Sequence, residues 1–340
     1  MNPQHHFKVE VASNIALLKY WGKRDPSKQW PANDSLSMTL KNAQTFTSAR
    51  VIGETSDVVI WGGRQLPSDD PAAVRVRNHL SRLRAILCLD SKLEIVTENT
   101  FPAACGIASS ASGFAALTTA ALAAWTGGRS LEDLDQVGFS RSQLALLARL
   151  GSGSACRSLW GGFVRWHAGD TPDSQAVEQL CDESHWPLAD VIVLVSDKEK
   201  KISSRVGHES AFSSPFMEPR LAGLPERMSK MIAAIESRHL EGLGLLMEAE
   251  ALEMHSVMMS SNPAANYLLP ETTALLSWIR KRRHFGDFPA YFTIDAGPNV
   301  HLICEPGDVA KVCAALNDDW PELRLFRDEC GSGPVLRALS

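Results

Sequence analysis

Between Phe7 and Lys23 the chain reads FKVEVASNIALLKYWGK, alternating apolar and polar at first and then almost continuously apolar, which predicts a long strand. SLSMTL, TFTSARVI and DVVIWGG follow as short runs rich in β-formers, so the chain opens on a sheet. From Val74 to Leu89 the residues Val76, Leu80, Leu83 and Leu87 recur at helical spacing, and KLEIVTEN returns to strand. A helix is expected from about Ser110 to Trp125, with Phe114, Leu117 and Ala121 on one side. Another runs through DLDQVGFSRSQLALLARLG and stops at Gly151, and SLWGGFVRWHAG then reads as strand.

After the polar stretch GDTPDSQAVEQLCDESHWP the pattern restarts with the buried-type strand DVIVLVSD. That places a domain boundary near Trp186 and divides the chain into 1–186 and 187–340. Long helical patterns fill LPERMSKMIAAIESRHLEGLGLLMEAEALEMHSVMM and ETTALLSWIRKRRHF, and two strands, AYFTID and VHLICE, flank an AGPN turn. Strands and helices mix without a regular alternation, so each half is expected to be α+β. A length of 340 residues suits two cores.

Composition narrows the function. With 44% hydrophobic and 21% charged residues the chain is of the globular class, and no run reaches the roughly 18 apolar residues that a membrane helix requires. The start lacks a basic segment followed by an apolar one, so the cytoplasm is the expected location and no membrane partner is expected. A net charge of −5 argues against broad nucleic-acid affinity. Seven cysteines stand singly, without the C-x-x-C pairing of zinc sites, and are expected to be reduced thiols. Any polyanionic ligand must therefore be held by local cations.

Candidate cations and their partners lie in separate segments. In PAACGIASSASG, from Pro102 to Gly113, small side chains leave the backbone open to a phosphate chain at the start of a helix. An ordinary helix start, with Ser109 or Ser110 as cap, uses the same geometry. Lys19 and Lys23, four apart in the first strand with Trp21 between them, are expected on one face, either facing an anion or guarding a sheet edge. GSGSACRSLWGG places Ser152, Ser154 and Arg157 in a loop able to donate to a phosphate or carboxylate, or simply to connect. KEKKISSRVGH adds Ser203, Ser204 and Arg205 behind a solvated lysine run. In YFTIDAGPNVHL, Asp295 ends an apolar strand, where it serves as a turn former or as a carboxylate delivered to a site floor.

Taken in order, NIALLKYWGK, FPAACGIASSASGFAAL, GSGSACRSLWGGF, EALEMHSVMM and FTIDAGPNVHL resemble the mevalonate diphosphate decarboxylase family of the GHMP kinase superfamily. The resemblance implies an N-terminal domain like ribosomal protein S5 domain 2, a ferredoxin-like C-terminal domain, an active site in the cleft between them, and a homodimer. It further implies ATP and Mg²⁺ as cofactors and a small-molecule substrate, mevalonate 5-diphosphate. Carried onto this sequence, it puts the catalytic acid at Asp295, its lysine at Lys19, and the arginine for the substrate carboxylate at Arg157. Tyr20, Lys23, Ser152, Ser154, Ser204 and Arg205 fall at substrate positions. Ala104, Cys105, Gly106, Ile107, Ala108, Ser109 and Ser110 fall in the ATP loop, with Ser110, or in its place Ser109, toward the metal. His208 stands where bacterial relatives tend to have methionine, and His255 matches the family but is expected to be a core or interface residue. Relatives that act on mevalonate 5-phosphate, or phosphorylate without decarboxylating, and an inactive nucleotide-binding relative, are the alternatives.

Overall fold

The computed structural model describes residues 6–101, 109–197 and 203–339. The chain opens with β1 (His6–Leu18), the short pair β2 (Lys23–Asp25) and β3 (Trp30–Pro31), and β4 (Ser35–Ile52). Then come β5 (Val58–Trp61), β6 (Arg64–Gln65), α1 (Pro71–Leu87) and β7 (Lys92–Asn99). Three helices follow, α2 (Ser109–Thr126), α3 (Leu131–Gln136) and α4 (Arg141–Ala148), before β8 (Phe163–His167) and β9 (Ala176–Cys181). The second half holds β10 (Ala189–Leu194), α5 (Ser204–Ser210), α6 (Met217–Glu236), α7 (Leu240–Ser260) and α8 (Pro270–His284). It closes with β11 (Tyr291–Thr293), β12 (Val300–Cys304), α9 (Val309–Asp319), β13 (Arg324–Glu329) and β14 (Val335–Leu339).

The first sheet runs β14-β1-β4-β7-β5-β6, with β8 and β9 added beside β4; the second runs β11-β12-β10-β13. Both halves are therefore α+β, as expected. The two runs SLSMTL and TFTSARVI form the single strand β4, because the Asp328 carboxylate accepts the N–H groups of Lys41, Asn42 and Ala43 at 2.7–2.8 Å where they leave the β1 ladder. The helix expected over DLDQVGFSRSQLALLARLG is two helices. Gly138, at φ 96°, ends the first, and a Ser140–Gln143 capping box starts the second. β14 crosses back over the expected boundary at Trp186 to pair with β1.

A shared core positions the site. Ile15, Leu17 and Leu18 of β1 pack with Leu36 and Met38 of β4 against Leu224, Met228, Leu243 and Met247 of α6 and α7. The end of β1 is thereby pressed against the second half, and the chain leaving it emerges beside the end of β11. α2, with 13 buried positions made up largely of alanine, lies over the other face of the first sheet. α8 and α9 cover the far side of the second sheet. Among the described residues no helix is long and apolar enough to cross a membrane.

Close approach of α7 to β11 depends on Gly244, where a Cβ would stand 2.0 Å from the Tyr291 ring. Gly244→Ala is expected to destabilise the fold by about 1–3 kcal/mol through overpacking. A urea midpoint equal to that of the parent would contradict the packing described.

Candidate active site

Lys19 lies just beyond the end of β1, and its Nζ donates to Asp295 Oδ1 at 2.6 Å. The lysine side chain is 2% exposed and the aspartate 25%, so one partner is walled in and the other faces an opening. Burial pulls the Lys19 ammonium below its ordinary pKa; Asp295 and Glu250 oppose the shift, and Arg157 adds to it. The expected strand face shared by Lys19 and Lys23 is not observed. The strand ends at Leu18, Trp21 is buried, and Lys23 opens β2 after Gly22 turns the chain at φ 83°. Lys19 does not guard a sheet edge; it lies in the interior.

Arg157 sits in a 3-10 turn, Gly153–Leu159, 2% exposed. Its guanidinium donates to two neutral oxygens, Ser35 Oγ at 2.7 Å and Asn14 Oδ1 at 3.2 Å, while Nε is buried without a partner among the described residues. Asn14 in turn donates to Ser158 Oγ at 2.8 Å. Asp295 is near enough for its charge to act on Arg157, favouring the charged form against the effect of burial. Arg157, Lys19 and Asp295 thus form one electrostatic group built from both halves of the chain.

Ser110, in the first turn of α2, meets Ser152 Oγ at 3.1 Å, and Ser152 meets Ser154 Oγ at 3.3 Å. α2 begins at Ser109, so Ser109 and Ser110 are both inside the helix and neither precedes it as a cap. Ala104, Cys105, Gly106, Ile107 and Ala108 lie outside the described residues. The Tyr20 hydroxyl is buried without a partner among the described residues, and its ring rests against Trp166 and His208 at centroid distances of 4.9 and 4.3 Å. Burial, and after it the Arg205 charge, lowers the pKa of Lys23. Ser203 caps α5, and Ser204 is its first residue. Arg205 is 83% exposed and pairs with Glu209 at 3.2 Å, apart from the buried group.

ATP and Mg²⁺ fit this setting. Three hydroxyls gather at the N-terminus of a long helix, where backbone N–H groups favour anions. Among the described residues no group of three His, Cys, Asp or Glu could hold a metal.

Comparison with known proteins decides the family. The model of the diphosphomevalonate decarboxylase-like N-terminal domain matches residues 11–178, and that of the mevalonate 5-diphosphate decarboxylase C-terminal domain matches 190–331. The chain belongs to the diphosphomevalonate decarboxylase family. It is 34% identical to diphosphomevalonate decarboxylase of Bos taurus over 91% of this chain and 79% of the relative. Identity to the Candida albicans enzyme is 36%, over 91% and 86% of the two chains. A solved structure described as MDDEF in complex with MVAPP, AMPPCP and magnesium superposes with TM-score 0.89 at 31% identity, over 99% of this chain and 100% of the other. The Staphylococcus aureus mevalonate diphosphate decarboxylase gives TM-score 0.87 at 30% identity, over 99% and 98%. The GHMP kinase fold expected from the motifs is the fold of this decarboxylase family member.

Several residues that hold the Lys19–Asp295–Arg157 group escaped the sequence reading. Glu250 of α7 accepts the Lys19 backbone N–H at 3.0 Å, and Arg220 of α6 donates to Glu250 at 2.5 Å. Asn14 and Ser35 hold Arg157; a polar Asn14 inside an apolar strand was the available signal. His255, expected in a core, is buried and donates from Nε2 to the Asp295 carbonyl at 3.1 Å. The expectation of inert thiols holds for Cys156, which is buried, its pKa pushed up to about 12. The basic end of WIRKRRHFG is the last turn of α8, and Arg283 there pairs with the buried Glu248 at 2.7 Å.

His208 and His255 are both neutral, their pKa values lowered to about 3 and about 4 chiefly by burial. The unfolded chain therefore binds more protons once the pH falls below about 6.5, and stability declines from there toward those folded values. The expected loss between pH 7 and pH 5 is of the order of 1–2 kcal/mol per histidine, read from urea midpoints. A smaller decline in His255→Leu supports the assignment, and an identical one contradicts it.

Proposed function

We propose that this chain converts mevalonate 5-diphosphate and ATP to isopentenyl diphosphate, carbon dioxide, ADP and phosphate. The observation that carries the reading is the buried Lys19–Asp295 pair at 2.6 Å, formed between the two halves of a decarboxylase-family fold and sharing its field with Arg157. The substrate's tertiary 3-hydroxyl is a poor leaving group. Transfer of the terminal phosphoryl group of ATP makes it a good one, and its C–O bond then breaks with the electron pair leaving on phosphate. The bond between the carboxyl carbon and C2 breaks next, its pair closing the double bond between C2 and C3.

Asp295 accepts the proton of the 3-hydroxyl and orients that oxygen toward the phosphoryl group. Its position fits the task, since the carboxylate is partly open to the site while its lysine partner is not. Lys19 keeps the carboxylate ionised and offsets charge on the phosphoryl group. Arg157 holds the substrate carboxylate until the leaving phosphate makes its loss favourable. Two neutral partners aim the guanidinium without neutralising it, which supports this role. Tyr20, Lys23, Ser152, Ser154, Ser204 and Arg205 bind the substrate, chiefly its diphosphate, and the loop 104–110 receives ATP. Mg²⁺, when bound near Ser110, supplies charge neutralisation to the phosphates.

In this reading residues 1–186, joined by β14, form the domain that binds ATP and substrate, and the rest of 187–340 the domain that carries Asp295. We also assign a homodimer on the family resemblance, which gel filtration tests, and a cytoplasmic location without a nucleic-acid partner on composition and net charge. The decisive experiment supplies ATP and Mg²⁺ with mevalonate, its 5-phosphate or its 5-diphosphate, and follows ADP and carbon dioxide separately. ADP without carbon dioxide makes the chain a kinase, and preference for the monophosphate changes the substrate.

Asp295→Asn is expected to fold and bind ATP yet lose about a hundred- to ten-thousand-fold in turnover, the range for a missing general base. Near-normal turnover removes Asp295 from the mechanism. Lys23→Ala and Arg205→Ala are each expected to raise KM for a diphosphate substrate far more than for a monophosphate one. Equal effects on both substrates would show that neither side chain meets the terminal phosphate.

A further inference from the structure

One helix grips both members of the central pair by their main chains. Glu250 Oε1, fully buried on α7, accepts the Lys19 N–H at 3.0 Å and an Arg220 N–H at 2.5 Å; its other oxygen accepts from Arg227. Arg220 also donates to the Lys19 carbonyl at 3.3 Å, as does Asn33 Nδ2 at 2.9 Å. The Lys19 peptide is therefore held at both ends. Further along α7, His255 Nε2 donates to the Asp295 carbonyl at 3.1 Å. A carbonyl only accepts, so the imidazole proton is on Nε2; Nδ1 is buried without a partner among the described residues.

We propose that Glu250 and His255, five residues apart on α7, are positioning residues that set the Lys19–Asp295 pair by fixing the two backbones from which those side chains extend. The inference rests on the decarboxylase reading. The two grips are separated along the helix axis by about 7.5 Å, a length fixed by the helix itself. β1 and β11 belong to different sheets, and α7 packs against both, so a shift of either strand end past the other must break one of these bonds. The 2.6 Å contact is thus referenced to one rigid element rather than to loops.

Glu250 acts on Lys19 by charge as well. The charged groups facing the Lys19 ammonium are Asp295 and Glu250, which favour its protonated form, and Arg157, which disfavours it. Glu250 itself faces Arg220 and Arg227 from α6, and His255 faces Lys19 and Asp295 with the Tyr267 ring beside it. Replacing Glu250 by an uncharged residue removes one of the two groups that keep Lys19 protonated.

Two independent arms test the proposal with the full chain, ATP, Mg²⁺ and mevalonate 5-diphosphate. His255→Leu removes the donor but suits apolar surroundings, and the Asp295 carbonyl keeps the Gly297 N–H at 2.7 Å, so the fold is retained. His255→Gln keeps a donor. Turnover of His255→Leu is expected to fall about tenfold to a hundredfold with KM little changed, and His255→Gln to recover most of it. In the second arm, Glu250→Gln keeps an acceptor for the Lys19 N–H and loses the charge. The basic limb of its kcat against pH profile is expected to move down by about one unit, because a less favoured ammonium loses its proton earlier. Equal turnover in His255→Leu and His255→Gln, or an unmoved limb in Glu250→Gln, overturns the proposal. If Glu250→Gln does not fold, the histidine pair decides alone. An inactive parent chain refutes the decarboxylase reading instead, since each arm is scored against the parent.

Discussion

A lysine with a side chain only 2% exposed costs free energy unless its charge is compensated, and that cost organises this molecule. The compensation for Lys19 comes from Asp295 and Glu250, residues far along the chain that only the folded second half brings near. Neither half contains the pair alone. The shared core of β1, β4, α6 and α7 supplies the rigidity, and the polar network is threaded through it. The arrangement is suited to chemistry at the boundary between halves, with one partner sealed and the other open.

Around the pair, cations are handled in three ways. Arg157 is aimed by neutral oxygens and keeps its field available, whereas Arg220 and Arg227 are committed to Glu250. The same side chain is therefore left unneutralised in one place and serves architecture in the other. Arg205, exposed and paired among the described residues with Glu209, is of a third kind. A chain of net charge −5 can in this way present a locally basic site.

Much of the fold was legible because it rests on local rules. KLEIVTEN is β7 as read, and the AGPN turn does join two strands of the second sheet, although the first ends at Thr293 and Asp295 lies two residues beyond it. The motifs carried the domain architecture, which periodicity could not name. What failed was continuity. An apolar run through Lys19 reads as strand, but the fold stops the strand at Leu18 to turn Lys19 into the interior. DLDQVGFSRSQLALLARLG reads as one helix because Gly138 alone is a weak breaker; the capping box that opens two residues later at Ser140 decides it.

The hidden part of the site consists of residues whose partners are distant. Glu250 on a helix reads as a solvated acid, and only the approach of α6 and the end of β1 makes it a buried hub. Asn14 gave a faint signal as a polar residue in an apolar strand, and His255 gave none beyond its motif.

The central claim is that Lys19 and Asp295 work as a single unit, and a double-mutant cycle on turnover tests it most directly. Lys19→Met, Asp295→Asn and the double variant should be almost equally slow, because either change alone already disables the unit. Losses that multiply in the double variant would show two independent groups and contradict the account.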